Sequence, residues 1–288
     1  MICVPNVSEG RNQIFIEELQ EALERDGARV LDVHSDPVHN RSVFTAVGDE
    51  SSLVEGATLL AVAASAIDLT IHGGVHPRLG GLDVCPFVGA ADDLRQPIRV
   101  ARSTARSIGM GAGLPVFLYG AAARRPETRS LPQLRKGGLS ELRRRTVDEA
   151  LVPDEGPPGI DPARGVVCVG ARGPLIAFNV LLESDEDTAR RIAAGARAGG
   201  GGPAGIRALG WRLDNRIAQV SMNLTDPDRT GIDDAFDVVE ALARGEGVKV
   251  NACEIVGLPF ERYLPDEKRE AARLLIKPGR SLESALRS

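Results

Sequence analysis

Apolar residues along the chain fall into short alternating runs and longer stretches at helical spacing, and the two kinds follow one another in a repeated order. ICV at residues 2–4 reads as a short strand. Phe15, Leu19, Ala22 and Leu23 then recur at i, i+4, i+7 and i+8, which places them on one helix face. ARVLDVH (28–34) and SVFTAVG (42–48) read as two more strands. Ser52-x-x-Glu55 predicts a capping box opening a second helix, with Leu53, Ala57, Leu60, Ala61 and Ala64 on its buried side. LDVCPFV (82–88) is the next strand, so the order is βαββαβ.

The same order returns further on. LIAFNVLLE (175–183) is too apolar for a half-exposed strand and predicts a central one. Ser184-x-x-Asp187 predicts a helix start, and the glycines of AGARAGGGG (194–202) end that helix. IRALGWRL (206–213) and RIAQVSMNL (216–224) read as strands joined by a tight turn at Asp214 and Asn215. Thr230-x-x-Asp233 predicts the cap of a helix that buries Ile232, Phe236, Val239 and Leu242. VKVNACEIVG (248–257) closes the set, and a polar helix is expected over 266–275. Two βαββαβ units predict an α+β protein of two ferredoxin-like subdomains, 1–173 and 174–288, with a ligand cleft between them.

Between the units, residues 120–165 are rich in Pro, Gly and Arg. RRPETRSLPQLRKGGLSELRRR (124–145) carries eight basic and two acidic residues. The plain expectation is a solvated helix and loop; the functional one is attraction of an anionic ligand near the cleft. Overall charge changes the picture little. Net charge is −5 and aromatics make up 3% of the chain, so neither a basic footprint nor a base-stacking platform points to nucleic acid. MICVPNVSEG lacks the basic n-region of a signal peptide, and the longest apolar run, LLAVAASAI (59–67), is too short for a membrane span. A cytoplasmic protein without a membrane partner is expected. Cys3, Cys85, Cys168 and Cys253 are scattered without a CxxC pair, as expected of buried thiols in a reducing compartment.

Candidate chemistry concentrates in IHGGVHPRLGGLDVCPF (71–87), which holds two of the four histidines. His72 and His76 have a metal-ligand spacing, but that spacing needs a helix. Gly73 and Gly74 weaken one, and Pro77 disfavours the helical backbone at the residue before it. No metal is expected. A histidine on a Gly/Pro-shaped loop can approach a ligand and move protons near neutral pH, and Arg78 offers a planar fork suited to a carboxylate. From these residues alone, a catalytic and a structural histidine both stay open.

Six blocks in order then carry a resemblance: CVPNVSEGRN (3–12), NRSVFTAVG (40–48), HPRLGGLDVCPF (76–87), VFLYGAAAR (116–124), GARGPLIAFNVLL (170–182) and LGWRLDNRIAQVSMNL (209–224). Over essentially its whole length the chain resembles the glutamate formiminotransferase family, including the transferase half of the bifunctional formiminotransferase–cyclodeaminases. The resemblance implies transfer of the formimino group of N-formimino-L-glutamate to N5 of tetrahydrofolate, with folate as co-substrate in the groove between subdomains, and a homodimer. It places the catalytic histidine at His76, before the Pro-Arg pair, and substrate contacts at Asn40, Arg41 and Arg78. Folate contacts map to Gly156, Pro157 and Gly165, and to Gly201 and Gly210. His72 is expected to shape the loop, and His34 and His39 are expected to be structural. There are departures: Gly73-Gly74-Val75 stands where members write Lys-Gly-Glu, and Ala204 and Gly205 replace lysines of the second folate segment. His34 stands where mammalian members have an aspartate that could orient the catalytic imidazole. The departures leave open a formyltransferase using N-formylglutamate, and paired ferredoxin-like units also suit a non-catalytic protein binding folate or an amino acid, against which His76-Pro77-Arg78 argues.

Overall fold

The computed structural model describes every residue from Met1 to Ser288 except His76. The chain divides into two units, Met1–Gly173 and Pro174–Ser288.

In the first unit, β1 (Ile2–Cys3) and β2 (Asn6–Val7) are two pieces of one strand, each lying between β4 (Arg41–Val47) and β5 (Leu82–Val88). The interruption has a cause in two prolines without an N–H, Pro5 inside the break and Pro86 opposite it in β5. Val4 N–H donates to the Pro86 carbonyl at 3.0 Å, but Pro86 has no N–H to return. The Asn6 side chain supplies the missing donor to the Val4 carbonyl at 3.0 Å. α1 (Gln13–Glu24) starts at Asn12, whose side chain accepts from Phe15 N–H. It buries Ile16, Leu19 and Leu23, while Phe15 and Ala22 sit at the edge of that face. β3 (Arg29–Asp36) pairs antiparallel with β4. α2 (Glu50–Ala64) is capped by Asp49, which accepts from Ser52 N–H at 2.7 Å. The cap therefore lies three residues before the predicted Ser52. An Asp at the extended position takes that role, and Ser52 and Glu55 fall inside the helix.

The sheet continues beyond the predicted βαββαβ order. α3 (Arg95–Gly111) and β6 (Val116–Gly120) follow β5, and β7 (Val167–Arg172) lies parallel between β5 and β6. Both faces of this part are covered. Val116, Leu118, Val167 and Val169 join the core under α1, α2 and α3. Phe117, Tyr119 and Cys168 pack on the other side with Leu134, Leu142, Leu151 and Ile160. Those last residues belong to the stretch 120–165, whose basic segment is not a solvated loop. It folds into α4 (Pro126–Arg129), α5 (Leu131–Leu134) and α6 (Gly138–Val147), and several of its arginines are used internally. Arg143 donates to the Ile160 carbonyl at 3.0 Å, Arg145 to that of Leu134 at 2.7 Å, and Arg124 pairs with Glu155 at 2.7 Å.

The second unit keeps to the simple plan. β8 (Ile176–Leu182), α7 (Glu186–Ala196), β9 (Ile206–Arg212), β10 (Ala218–Leu224), α8 (Ile232–Gly245) and β11 (Val250–Val256) form an all-antiparallel sheet ordered β11-β8-β10-β9, so β8 is central as its composition predicts. This fourth-first-third-second order is the split βαβ arrangement. One core gathers Phe178, Val180, Ile192, Val220, Phe236 and Val239. Two caps fall one residue after their predicted positions. Asp185 accepts from Thr188 N–H at 2.8 Å, and Gly231 N–H is held by Asp234 at 3.0 Å, because Thr230 instead donates to the Ala204 carbonyl. The turn at Asp214 is wider than predicted: residues 213–217 link the strands, and one Asp214 oxygen accepts from Arg216 and Ile217 N–H. The expected helix over 266–275 shrinks to α9 (Glu270–Arg273). Leu274 and Ile276 are drawn onto Cys253 by backbone hydrogen bonds at 2.7 and 2.9 Å. No described helix is long and apolar enough to cross a membrane.

Candidate active site

The histidine loop runs from the end of α2 to the start of β5, and its descending arm is pinned by backbone. Ser8 N–H donates to the Gly81 carbonyl and Ser8 Oγ to the Gly80 carbonyl, each at 2.8 Å. Val166 N–H donates to the Leu79 carbonyl at 2.8 Å, and Gly80 bridges Gly165. A Cβ on Gly165, whose φ is +69°, would overlap the Leu79 carbonyl, so only glycine lets the two segments approach this closely. Asp83, 1% exposed in β5, completes the anchor: one oxygen accepts from Leu79 N–H at 2.8 Å and the other pairs with Arg135.

The other arm leans on the tip of the β3–β4 hairpin. Asp36 organises that tip by accepting from the N–H groups of Val38 and His39 at 2.8 and 2.9 Å, with its second oxygen 2.6 Å from His39 Nδ1. Asn40 adopts a left-handed φ of 49°, which short polar side chains tolerate. This turns its amide towards the loop. Oδ1 accepts from Gly10 N–H at 3.0 Å, and Nδ2 donates to the Gly73 carbonyl at 2.9 Å and faces His72 Nε2 at 2.8 Å. From the far side, Arg78 donates to the His39 carbonyl at 3.1 Å and meets His72 Nδ1. Hairpin tip and loop are thereby one hydrogen-bonded body.

Gly74 lies in this body with no room for a side chain: a Cβ would overlap Arg78 Nη2 and the His39 carbonyl. Gly74→Ala is therefore expected to displace the loop and cut turnover by about 10²-fold, since a misplacement of about 1 Å costs that much. Steady-state kinetics alongside an unchanged thermal midpoint check it.

Charge in this region is shared among buried groups. Burial opposes the Asp36 carboxylate, but hydrogen bonds from the His39 ring and from the His39 and Val38 backbone prevail and hold it down to about 2. A carboxylate with a depressed folded value stabilises the fold above its unfolded value of 3.8 and loses that contribution as pH falls towards 2. Asp36→Asn is expected to remove about 2 kcal/mol at neutral pH and to flatten the thermal midpoint against pH between about 4 and 2. Burial lowers Arg41 to about 10, helped by the charge of Arg135 and opposed by Asp83 and Asp36. Burial and then Arg78 lower His72 below the ordinary imidazole value, so it is neutral at pH 7. Its contribution to stability is complete above about 6.5 and falls as the pH drops below that.

Of the residues expected at the site, His76 lies outside the described residues. Asn40 and Arg78 are brought into direct contact with the loop, and Arg41 shares the field of Asp83, Asp36 and Arg78. Gly165 sits against the loop base. Gly156, with φ +80°, packs its Cα against the Leu114 carbonyl and Gly109, and Pro157 beside it is half-buried. In the second unit, Gly210 lets β9 press on the α7 backbone at Ala189 and Arg190, while Gly201 turns the chain at φ +98° in open space. His34 sits opposite Val43 in the β3–β4 ladder, and His39 is 6% exposed. Among the described residues no group of three His, Cys, Asp or Glu side chains could hold a metal ion. Sequence reasoning did not find His72 as a contact, the Asp36–His39 pair, or Asp83 with Arg135. The D-P-V-H-N spacing at 36–40 was the signal for the second of these.

Comparison with known proteins bears on the whole chain. Residues 1–172 match the N-terminal subdomain of the formiminotransferase domain, and residues 177–268 match the formiminotransferase domain. The chain is 42% identical to the glutamate formimidoyltransferase of Streptococcus pyogenes serotype M1, over 92% of this chain and 90% of that protein. It is 39% identical to the glutamate formimidoyltransferase of Thermoplasma acidophilum, over 92% and 89%. It is also 39% identical to the formimidoyltransferase-cyclodeaminase of Sus scrofa, over 89% of this chain and 49% of that one.

Proposed function

We infer the reaction from the family to which this chain belongs, the formiminotransferases: it is a glutamate formiminotransferase that moves the formimino group of N-formimino-L-glutamate to N5 of tetrahydrofolate and releases L-glutamate. The observation that carries this is the 42% identity to a glutamate formimidoyltransferase along 90% of that protein's length. The hydrogen-bonded body of Asn40, His72 and Arg78 supports it locally.

The chemistry defines what the site must do. N5 attacks the amidine carbon, forming the N5–C bond. The adduct then loses a proton from the incoming nitrogen, gains one on the glutamate nitrogen, and breaks the C–N bond to glutamate. One imidazole can serve both transfers because they are sequential. That role falls to His76, two residues before the anchored Arg78. Arg41 and Arg78 supply cationic charge for the donor's carboxylates, and Asn40 holds the loop against the hairpin. The amidinium is already cationic, so the adduct needs positioning more than an oxyanion hole. Folate contacts are proposed along 156–165, where Gly165 touches the loop base, and along 201–210. A homodimer is proposed with this reading, as the family resemblance implies, and four buried free thiols support a reducing, cytoplasmic setting.

The test is donor choice. Purified protein with tetrahydrofolate is expected to turn over formiminoglutamate and to leave N-formylglutamate untouched. Turnover of the formyl donor alone would replace this reading with a formyltransferase, and failure to bind tetrahydrofolate in a calorimeter would remove both.

A further inference from the structure

In the first unit α1, α2 and α3 lie side by side in one layer over the sheet, with α2 in the middle. α1 runs against α2: a Cβ on Gly56 would overlap the Leu23 carbonyl, and one on Gly27 would touch Ser52. α3 runs with α2: Gln96 donates to Glu50 at 2.9 Å near the two starts, and the Thr58 and Ser107 hydroxyls are 3.0 Å apart further along. The two outer helices carry opposite charge. α1 has Glu17, Glu18, Glu21 and Glu24 and no basic residue, whereas α3 has Arg95, Arg99, Arg102 and Arg106 and no acidic one. Part of this charge is uncompensated within the molecule. Among the described residues Glu18 and Glu21 pair with no basic side chain, Arg102 reaches only the Ala122 carbonyl at 3.4 Å, and Arg106 pairs with no carboxylate. A groove of about 890 Å³ follows α3, lined by Arg99, Arg102, Arg106, Met110 and Arg124. Each outer helix also carries an exposed apolar side chain, Ile14 (71% exposed) at the start of α1 and Met110 (81%) at the end of α3. Because α1 is antiparallel to the other two, these lie at the same end of the layer. In the middle, Val62 of α2 and Ala66 just after it are exposed and Leu59 is half-buried.

We propose that this layer is the face through which two copies of the chain pair: a two-fold axis running along α2 lays the acidic α1 of each copy into the basic groove of the other's α3. Such an axis keeps helix direction, so α1 arrives antiparallel to the partner's α3 and Ile14 comes to its Met110 end. Both charged contacts form at once, and Leu59 and Val62 meet their own copies between them. With 12 and 17 residues, α1 is about 18 Å long and α3 about 26 Å, so the groove accepts the whole acidic helix. Three helices about 9 Å apart and about 20 Å long present about 550 Å² per copy, and about 1,100 Å² in all reaches the lower bound of a specific interface. Glu55 is the one unpaired charge on α2, and it faces its own copy at a modest cost. The pairing rests on the homodimer proposed above and names its surface.

The test uses the full chain as Arg102→Glu/Arg106→Glu and as Glu18→Arg/Glu21→Arg, followed by sedimentation equilibrium over a concentration series. The parent is expected to be a dimer. Each double variant alone sets like charges together at both contacts, and its dissociation constant is expected to rise at least about 100-fold. Mixed one to one, the two variants regain opposite charge at both contacts, and a heterodimer about as tight as the parent is expected. Misfolded variants could not give that result. A monomeric parent, double variants that stay dimeric alone, or a mixture that fails to associate would each overturn this interface. Formimino transfer is assayed separately. If the parent turns over formiminoglutamate while the variants stay dimeric, the interface fails and the reaction stands. If the variants behave as expected but the parent transfers no formimino group, the interface stands and the reaction reading fails.

Discussion

Replacing His76 with alanine is expected to lower the rate of formimino transfer by about 10²- to 10⁴-fold, the usual contribution of a positioned acid–base group. Binding should survive. The loop is held by the hydrogen bonds of Ser8, Asn40, Arg78, Asp83 and Val166 described above. Tetrahydrofolate and L-glutamate should therefore titrate normally into the variant, and the loss should fall on kcat with both KM values little changed. A rate within tenfold of the parent would mean that another group carries the protons. A collapse of ligand binding together with the rate would mean that the residue holds the loop instead.

Asp83→Ala is expected to produce the largest loss of stability, about 3–5 kcal/mol, because it strands a mostly buried guanidinium. The Arg135 side chain is 17% exposed, and its Nε is already without a hydrogen-bond partner. Leu79 N–H would lose its acceptor as well. Against a total stability of about 5–15 kcal/mol, this is a large share. Urea unfolding should show a lower midpoint, and Asp83→Asn should fall between parent and alanine because its carbonyl can still serve Leu79. Changing Arg135 to Met in the Asp83→Ala background should recover stability, since removing both charges spares the cost of the unpaired one. Equal midpoints for Asp83→Ala and the double variant would contradict this.

How much of this could be read from residues alone varied along the chain for physical reasons. The second unit was legible almost strand by strand, because the apolar run of β8 marks the centre of its sheet and β9 alternates as an edge strand covered on one face. α3 went unread: its buried side is Val100, Ala101, Thr104, Ala105 and Ile108, small residues flanked by arginines that mute the helical period. The helices of the basic segment went unread because two of them are four residues long and their apolar contacts are scattered, Leu134 and Leu142 buried with Leu131 and Leu139 partly so, too sparsely to show a face. Caps slipped by one to three residues wherever an Asp or Gly neighboured the Ser or Thr.

At the site, local motif and distant contact parted company. Arg78 and Asn40 could be named from their blocks, but the pairing of Asn40 with His72 spans 32 residues and depends on one left-handed backbone angle. Asp83 and Arg135 are 52 residues apart, and nothing in either neighbourhood marks the other. Both contacts are made by the fold bringing a hairpin tip and a packed helix against the loop.

The most direct test of the central claim is the fate of label. Formiminoglutamate carrying ¹³C at the amidine carbon and ¹⁵N at its terminal imino nitrogen is incubated with the protein and tetrahydrofolate. The product should be 5-formimino-tetrahydrofolate with both labels together, and L-glutamate with neither. Absence of labelled folate, or ¹⁵N in the released glutamate, would contradict the account.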